Sequence, residues 1–431
     1  MVQAAYILYS GKRVGALFWE GGLGYFEYSP SFLTSKIELA PLTMPLSGAK
    51  GRVFSFPENA NTATFKGLPG LLADVLPDKY GHTLINAWLA KNGRPLNSLN
   101  PVELLCFIGK RGMGALEFEP TSGFTAKGAT DVELSELIAY AETILSGKKK
   151  ITARISKRNA ALLQEVLKVG TSAGGARAKA VVAFNPLTNE LKTGQTEAPT
   201  GFSHWLLKFD GVTDQQSGLI HGYGRVEMAY SQMALAAGID MMPCRLLEEN
   251  GRAHFMTRRF DRDDQGNKYH VQTFCAMRHF DFNNIQGYSY EMLFETMRLL
   301  QLPYASAEQL FRRMVFNVLL RNCDDHTKNF AFMLNGAHKW QLAPAYDICH
   351  AYRPGSDWVS QHALSINGKR NHITRFDLDE LAAKMSIRNS KHIVSEIQEV
   401  AKKWPQFAKE FGVSKELATS IQKTLPTLKK Q

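Results

Sequence analysis

Asn317-Val-Leu-Leu-Arg-Asn-Cys-Asp-Asp-His-Thr-Lys-Asn-Phe330, followed by Gln341-Leu-Ala-Pro-Ala-Tyr-Asp-Ile348, is the stretch against which the rest of the chain is read. An apolar run, Met314 to Leu320, ends abruptly in Asn322, Asp324, Asp325, His326, Lys328 and Asn329. A second apolar run, Phe330 to Leu334, follows at once, and a third, Trp340 to Tyr346, ends in Asp347. Carboxylates are thus set at the edge of material that favours burial, where an unpaired charge costs several kcal/mol. Metal and phosphate would supply the pairing.

The spacing narrows the chemistry. Asp324 and Asn329 are separated by five positions, and Asp347 comes after a hairpin-like segment that turns at Asn335-Gly336. Phosphoryl transfer needs this order: an Asp for the acceptor hydroxyl, an Asn five residues later on one metal, and a later Asp on the bridging metal. Mg2+ is hard and calls for oxygen ligands. The alternative, a helix end with a solvated polar loop, has little reason to carry both the Asp-to-Asn spacing and the later Asp.

Asp-Asp-His-Thr-Lys-Asn-Phe followed by Leu-Ala-Pro-Ala-Tyr-Asp-Ile resembles the catalytic signature of the HipA family of serine/threonine kinase toxins. The resemblance implies ATP and Mg2+ as cofactors. It implies Asp324 as catalytic base, Asn329 and Asp347 on the metal, and His326, Lys328 and Tyr346 around the nucleotide. It also implies toxin biology: phosphorylation of an aminoacyl-tRNA synthetase (glutamyl-tRNA synthetase in the best-known case) and growth arrest. Neutralisation would come from a HipB-like helix-turn-helix antitoxin, with operator DNA contacted mainly through that antitoxin.

Other stretches are read beside it. Gly170-Thr-Ser-Ala-Gly-Gly-Ala-Arg-Ala-Lys179 is a run of small residues entering the strand Ala180 to Phe184. Gly174 and Gly175 permit close backbone approach, successive N–H groups favour an anion nest, and Arg177 and Lys179 add positive charge. The run is similar to the family's phosphate loop, Ser-x-x-Gly-Ala-x-x-Lys, here Ser172, Gly175, Ala176 and Lys179, with Gly174, Arg177 and Ala178 among them. By that resemblance Ser172 is an autophosphorylation site. A phosphate of charge about −2 inside an anion cradle would repel the nucleotide and disorder the loop.

Lys208 lies within the apolar strand His204 to Phe209 and needs an anion partner. It matches the family's nucleotide lysine. Glu227, opening a helix expected over Val226 to Ala237, is the candidate for its ion pair, or else a first-turn acid favouring the helix dipole. His254 to Arg262 reads as a strand running into a charged turn. Its Arg-Phe-Asp-Arg portion resembles the hinge that meets adenine, which adds Arg258, Arg259 and Phe260 to the nucleotide site, chiefly through backbone groups. The position often acidic in the family is Arg258 here.

The N-terminal part reads as short strands: Ala4 to Tyr9, Val14 to Trp19, then Tyr25 to Tyr28. A helix-like segment follows over Leu71 to Ala90, broken at Leu76-Pro77-Asp78, then a short helix Pro101 to Ile108. Gly109-Lys-Arg-Gly-Met-Gly-Ala-Leu-Glu-Phe-Glu-Pro120 lacks the GxGxxG spacing and opens no helix, so it reads as a turn into a strand. It resembles the N-terminal domain of HipA proteins. Residues 121–131 suit a linker, Asp131 to Leu145 an amphipathic helix, and the basic run Lys148 to Arg158 a solvated face. From Tyr288 onward the chain reads as mostly helical, with breaks at Pro303, Pro354 and Pro405.

The fold expected is α+β: two-lobed and protein-kinase-like, with a β-rich N-terminal domain (1–125), a nucleotide-binding lobe (126–257) and a mostly helical catalytic lobe (258–431). A chain of 431 residues accommodates such domains. Its 44% hydrophobic and 21% charged content is that of an ordinary soluble protein. No apolar run has the length of a membrane span, and the N-terminus does not read as a signal peptide, so the expected location is the cytoplasm. The five cysteines are widely spaced and form no CxxC pair, which points away from zinc and disulfide frameworks. The net charge of +11 suits nucleotide phosphates, nucleic acid or an acidic partner alike. Two other function classes stay open: a catalytically weak DNA- or antitoxin-binding co-repressor module, and a small-molecule phosphotransferase of the same general fold.

Overall fold

Alternation of apolar and polar residues builds the first sheet of the computed structural model. It has five antiparallel strands in the order Val53–Phe54, Leu23–Tyr28, Lys12–Glu20, Ala4–Tyr9 and Leu116–Pro120. The structure describes residues 2–77, 82, 85–86, 89, 93–121, 153–154, 179–193, 198–210, 222–249 and 251–428. The hairpin from Lys12–Glu20 to Leu23–Tyr28 turns at Gly21 and Gly22, both at positive φ, as a tight connection requires. Helix Pro101–Ile108 begins with a reciprocal capping box between Asn100 and Glu103. The glycine segment that follows does run into a strand, Leu116–Pro120.

A six-stranded sheet has the order Cys244–Glu249, Arg252–Arg258, Ser203–Lys208, Lys179–Asn185, Glu190–Thr193 and Ala153–Arg154. One face carries a core of Phe184, Leu191, Trp205, Leu207, Phe209, Leu247 and Met256.

The chain divides into two compact units, 1–221 with 247–271, and 222–246 with 272–431. The second is mostly helical: Tyr223–Ala236, Phe274–Arg278, Tyr290–Leu299, Tyr304–Leu319, Arg375–Met385, Ser390–Lys402, Trp404–Glu410 and Lys415–Gln422. Pro303 caps the N-terminus of Tyr304–Leu319 and Pro405 sits in the first turn of Trp404–Glu410, so both prolines start helices. Helix Ser390–Lys402 stops ahead of Trp404, and the residues beyond form separate helices.

Trp404 is fully buried. Its indole N–H donates to the Ala418 carbonyl at 3.0 Å, and its ring meets that of Tyr230 edge-on. Tyr230 in turn donates its hydroxyl to the carbonyl of Leu320, where helix Tyr304–Leu319 ends. Among the described residues no helix is long and apolar enough to cross a membrane.

The expected helix over Leu71 to Ala90 is a short helix, Gly70–Ala73, with much of the remainder outside the described residues. The same holds for Ser172, Gly174, Gly175, Ala176, Arg177 and Ala178, for the helix Asp131 to Leu145, and for nearly all of the basic run.

Candidate functional site

Helix Tyr304–Leu319 delivers the chain into the polar loop. Its last turn carries Asn317, whose side-chain oxygen accepts from the Asn322 amide at 3.0 Å while its carbonyl accepts the Asn322 N–H at 3.0 Å. Arg321 adopts positive φ, which ends the helix and turns the loop. Paired backbone bonds then tie Cys323 N–H to the Ala351 carbonyl and Ala351 N–H to the Arg321 carbonyl, both at 3.0 Å. The polar loop and the segment following Asp347 are therefore stitched together.

Within the loop, the Asn329 side-chain N–H donates to the Asp324 carbonyl at 2.6 Å. That turns the amide oxygen of Asn329 away, as a hard-metal ligand requires. The Lys328 N–H donates to His326 Nδ1 at 3.2 Å, and His326 Nε2 lies 3.7 Å from the Asp324 carboxylate. The Tyr346 hydroxyl donates to the Lys328 carbonyl at 2.6 Å, joining the loop to the strand that precedes Asp347. Phe282 covers this group, with its ring against His326 and 4.6 Å from the Lys328 ammonium.

The hairpin Ala331–Leu334/Trp340–Leu342 spaces Asn329 from Asp347. Its turn is longer than Asn335-Gly336 alone: Asn335 caps the N–H groups of Ala337 and Lys339, and the left-handed residue is His338. Arg313 donates to the Ala343 carbonyl, and the Ala345 N–H donates to the Asp240 carbonyl. So held, Asp347 has a φ of 52°, in the left-handed region that aspartate tolerates better than most residues. Asn329 and Asp347 each carry a side-chain oxygen, the ligand type that a hard cation such as Mg2+ takes. Among the described residues no cluster of three or more His, Cys, Asp or Glu has metal-binding geometry.

The two neighbouring aspartates are opposites. The Asp324 side chain is 46% exposed, whereas that of Asp325 is fully buried. Asp325 accepts from the Tyr290 hydroxyl (2.8 Å), His362 Nδ1 (2.9 Å) and the Ala363 N–H (2.7 Å). Burial alone would push the His362 imidazole toward neutrality, but the Asp325 carboxylate beside it raises it to about 10. Sequence reasoning weighed Asp325 only as part of a polar cluster and missed His362. The one available signal was Asn367-Gly368, whose two positive φ values turn the chain so that Ile366 and Lys369 bridge and the following Arg370 carbonyl accepts the His362 N–H.

In the first unit, Lys179 and Lys208 are directly opposed on the antiparallel strands Lys179–Asn185 and Ser203–Lys208, with Phe255 opposite Lys208 on its other side. Directly opposed residues project to one face, here the face away from the Phe184–Trp205 core.

The side chains of the turn beyond Arg252–Arg258 bind one another. Arg258 pairs with Asp264 at 2.6 Å. Arg259 is buried and grips Asp261 with two bonds of 2.8 and 2.6 Å, while its backbone N–H donates to the His204 carbonyl. Their side chains thus serve the turn itself. Glu227 is buried in helix Tyr223–Ala236, beyond its first turn. That removes the helix-dipole reading.

A family model for the HipA-like C-terminal domain matches residues 171–406, and one for the HipA N-terminal domain matches residues 5–119. Two proteins of Sinorhizobium fredii (strain NBRC 101917 / NGR234) are similar. "Putative kinase Y4mE" is 22% identical over 96% of this chain and 86% of its own length. "Putative kinase Y4dM" is 24% identical over 57% of this chain and 63% of its own. Among solved structures, the Shewanella oneidensis MR-1 HipA, in a complex with HipB and operator DNA, shares the fold. Its TM-score is 0.64 at 18% identity, over 97% of this chain and 94% of that one. The chain belongs to the HipA family, with its two-lobed, kinase-like fold.

Proposed function

We propose that this protein is an ATP-dependent serine/threonine protein kinase of toxin type. Asp324 would orient and deprotonate the acceptor hydroxyl, with His326 and Lys328 flanking the transferring group. Asn329 and Asp347 would hold Mg2+, which when bound draws charge from the β- and γ-phosphate oxygens. Lys179 and Lys208 would share the nucleotide phosphates as their common anion, with Glu227 as the candidate ion-pair partner of Lys208. Tyr346 fixes the loop carbonyl at Lys328. Gly174 to Ala178 would close over the phosphates, and Ser172 would carry the self-inhibitory phosphate.

The observation that carries this reading is the loop itself. The Asn329 amide, five residues on, donates to the main-chain carbonyl of Asp324, whose carboxylate stays half-exposed, and Asp347 is held in a left-handed conformation beyond the hairpin. The substrate class inferred from the family is an aminoacyl-tRNA synthetase. A HipB-like antitoxin that brings operator DNA is the partner inferred from the Shewanella complex.

Transfer of labelled γ-phosphate to protein hydroxyls, together with Mg-ATP binding by calorimetry, tests the proposal. Asp347→Ala is expected to abolish Mg-ATP binding. Unchanged affinity in that variant would contradict the metal assignment.

A further inference from the structure

The carboxylate of Asp325 joins three segments distant in sequence: the polar loop, the start of helix Tyr290–Leu299 and the strand-like stretch at His362 and Ala363. Each segment is itself tied down. Tyr290 receives a further bond from the Asn317 side chain at 3.0 Å, and its N–H donates to the Ser365 carbonyl at 3.0 Å. The His362 N–H donates to the Arg370 carbonyl at 2.9 Å, and the Arg370 guanidinium donates to the carbonyls of Ala363 and Tyr288. Asn317 also receives the Asn322 amide, which returns the network to the loop.

His362 Nε2 lies 3.9 Å from Cys323 Sγ, so Cys323, His362 and Asp325 line up as a thiol, an imidazole and a carboxylate. All three are buried, at 0, 2 and 1% exposure. A nucleophile sealed in this way meets no substrate, and nucleophilic chemistry is ruled out for the arrangement as it stands. What remains is mechanical. The residue immediately after the proposed base cannot shift without breaking a buried ion pair and two further bonds.

We propose that Asp325 and His362 are positioning residues that brace the polar loop so that the adjacent Asp324 carboxylate is presented at a fixed place. The inference rests on the reading of Asp324 as the base. It adds that a fully protein-made ion pair, not a bound ligand, holds that base in register. Tyr290, Cys323 and Arg370 are the other titratable groups facing the pair.

The test uses the full chain carrying Asp325→Asn, with two readouts: steady-state phosphoryl transfer, and hydrogen exchange at residues 322–329. The expected result is a fall in kcat of about 10- to 100-fold with KM for ATP unchanged within about twofold, because misplacement of a catalytic group acts on the chemical step. Exchange in 322–329 should accelerate about tenfold, while helix Ser390–Lys402 keeps its wild-type protection.

Tyr290→Phe removes one bond and keeps the ring. It is expected to show the same pattern at about two- to fivefold, and it is read alone if Asp325→Asn fails to fold. Unchanged exchange in the loop overturns the brace. Faster exchange with unchanged kcat overturns the positioning role. Absence of phosphoryl transfer in the wild-type protein refutes the proposed function and with it the positioning role. The exchange comparison then still decides whether the pair braces the loop.

Discussion

Asp261 and Asp325 are both carboxylates with no solvent exposure to speak of, each beside residues placed in the candidate site, and they are neutralised by different chemistry. Asp261 is gripped by Arg259, by Arg262 at 2.8 Å, and by the Gly114 N–H at 2.7 Å. Arg259 and Arg262 also donate to the Gly112 carbonyl, and Arg262 to that of Gly114. The knot therefore fastens the turn at Arg258 to Arg262 onto the glycine segment of the N-terminal part, within one unit. Asp325 is held by a histidine, a tyrosine and one backbone N–H. Guanidinium is intrinsically far more basic than imidazolium, and although burial brings Arg262 down to about 10, Arg259 is held above its ordinary value beside Asp261. The first knot therefore keeps at least one charged partner over the alkaline range in which the second loses its own.

A third carboxylate, the exposed Asp324, sets the scale for ways to break this contrast. Asp324→Ala is expected to lower turnover by about two to four decades, the worth of a positioned base, while leaving the thermal midpoint nearly unmoved because its side chain is half in water. Asp261→Ala should do the reverse. Two buried guanidinium groups lose their carboxylate, and stability falls by about 3–5 kcal/mol in denaturant unfolding. A loss below about 1 kcal/mol would show that the knot contributes little.

The pH dependence separates the two knots next. Burial would raise the Asp261 carboxyl, but Arg259 and Arg262 outweigh burial and hold it at about 2. A depressed acid adds stability that is complete above its unfolded value near 3.9 and lost as pH falls toward 2, about 2–3 kcal/mol in all. His362 is raised to about 10, so its contribution is complete below its unfolded value near 6.5 and lost as pH rises toward 10. Burial holds His270 and His350 down at about 4, so they destabilise the protein as pH falls from about 6.5 to 4. Buried Cys106, pushed up to about 12, begins to act against the fold only above about pH 9. Hydrogen exchange measured per segment should therefore show the 322–329 loop loosening between about pH 7 and 9 while the segment around Arg259 to Arg262 does not. Equal loosening of both would contradict the assignment.

The smallest effect expected is at the opposed lysines. Lys179→Gln should weaken ATP binding in calorimetry by up to about fivefold, the worth of one partly exposed charge contact. If binding is unaffected, Lys179 does not serve the nucleotide.

The same three carboxylates mark how far the sequence could be read. The strands, the helix Tyr304–Leu319 and the hairpin were legible because local periodicity and turn residues dictate them. Asp324, Asn329 and Asp347 could be singled out because the roles proposed for them depend on spacing along one stretch. The partners of Asp325 and Asp261 were not. His362 lies 37 positions downstream of Asp325, and Gly114 lies 147 upstream of Asp261. No local pattern encodes such distances. The expectation that metal or phosphate would neutralise the carboxylates at the apolar edge therefore holds no ground at Asp325, which the chain neutralises itself. The side chain of Arg259 is a buried structural clamp on Asp261, which its place in the motif did not disclose. The facing of Lys179 and Lys208 needed the strand register, which periodicity alone does not set.

The most direct measurement is intact-mass and peptide mass spectrometry of the dephosphorylated protein after incubation with Mg-ATP, comparing wild type with Asp324→Ala. The account predicts one added phosphate on Ser172 in the wild type and none in the variant. No added phosphate in the wild type, or equal phosphorylation in both, would contradict it.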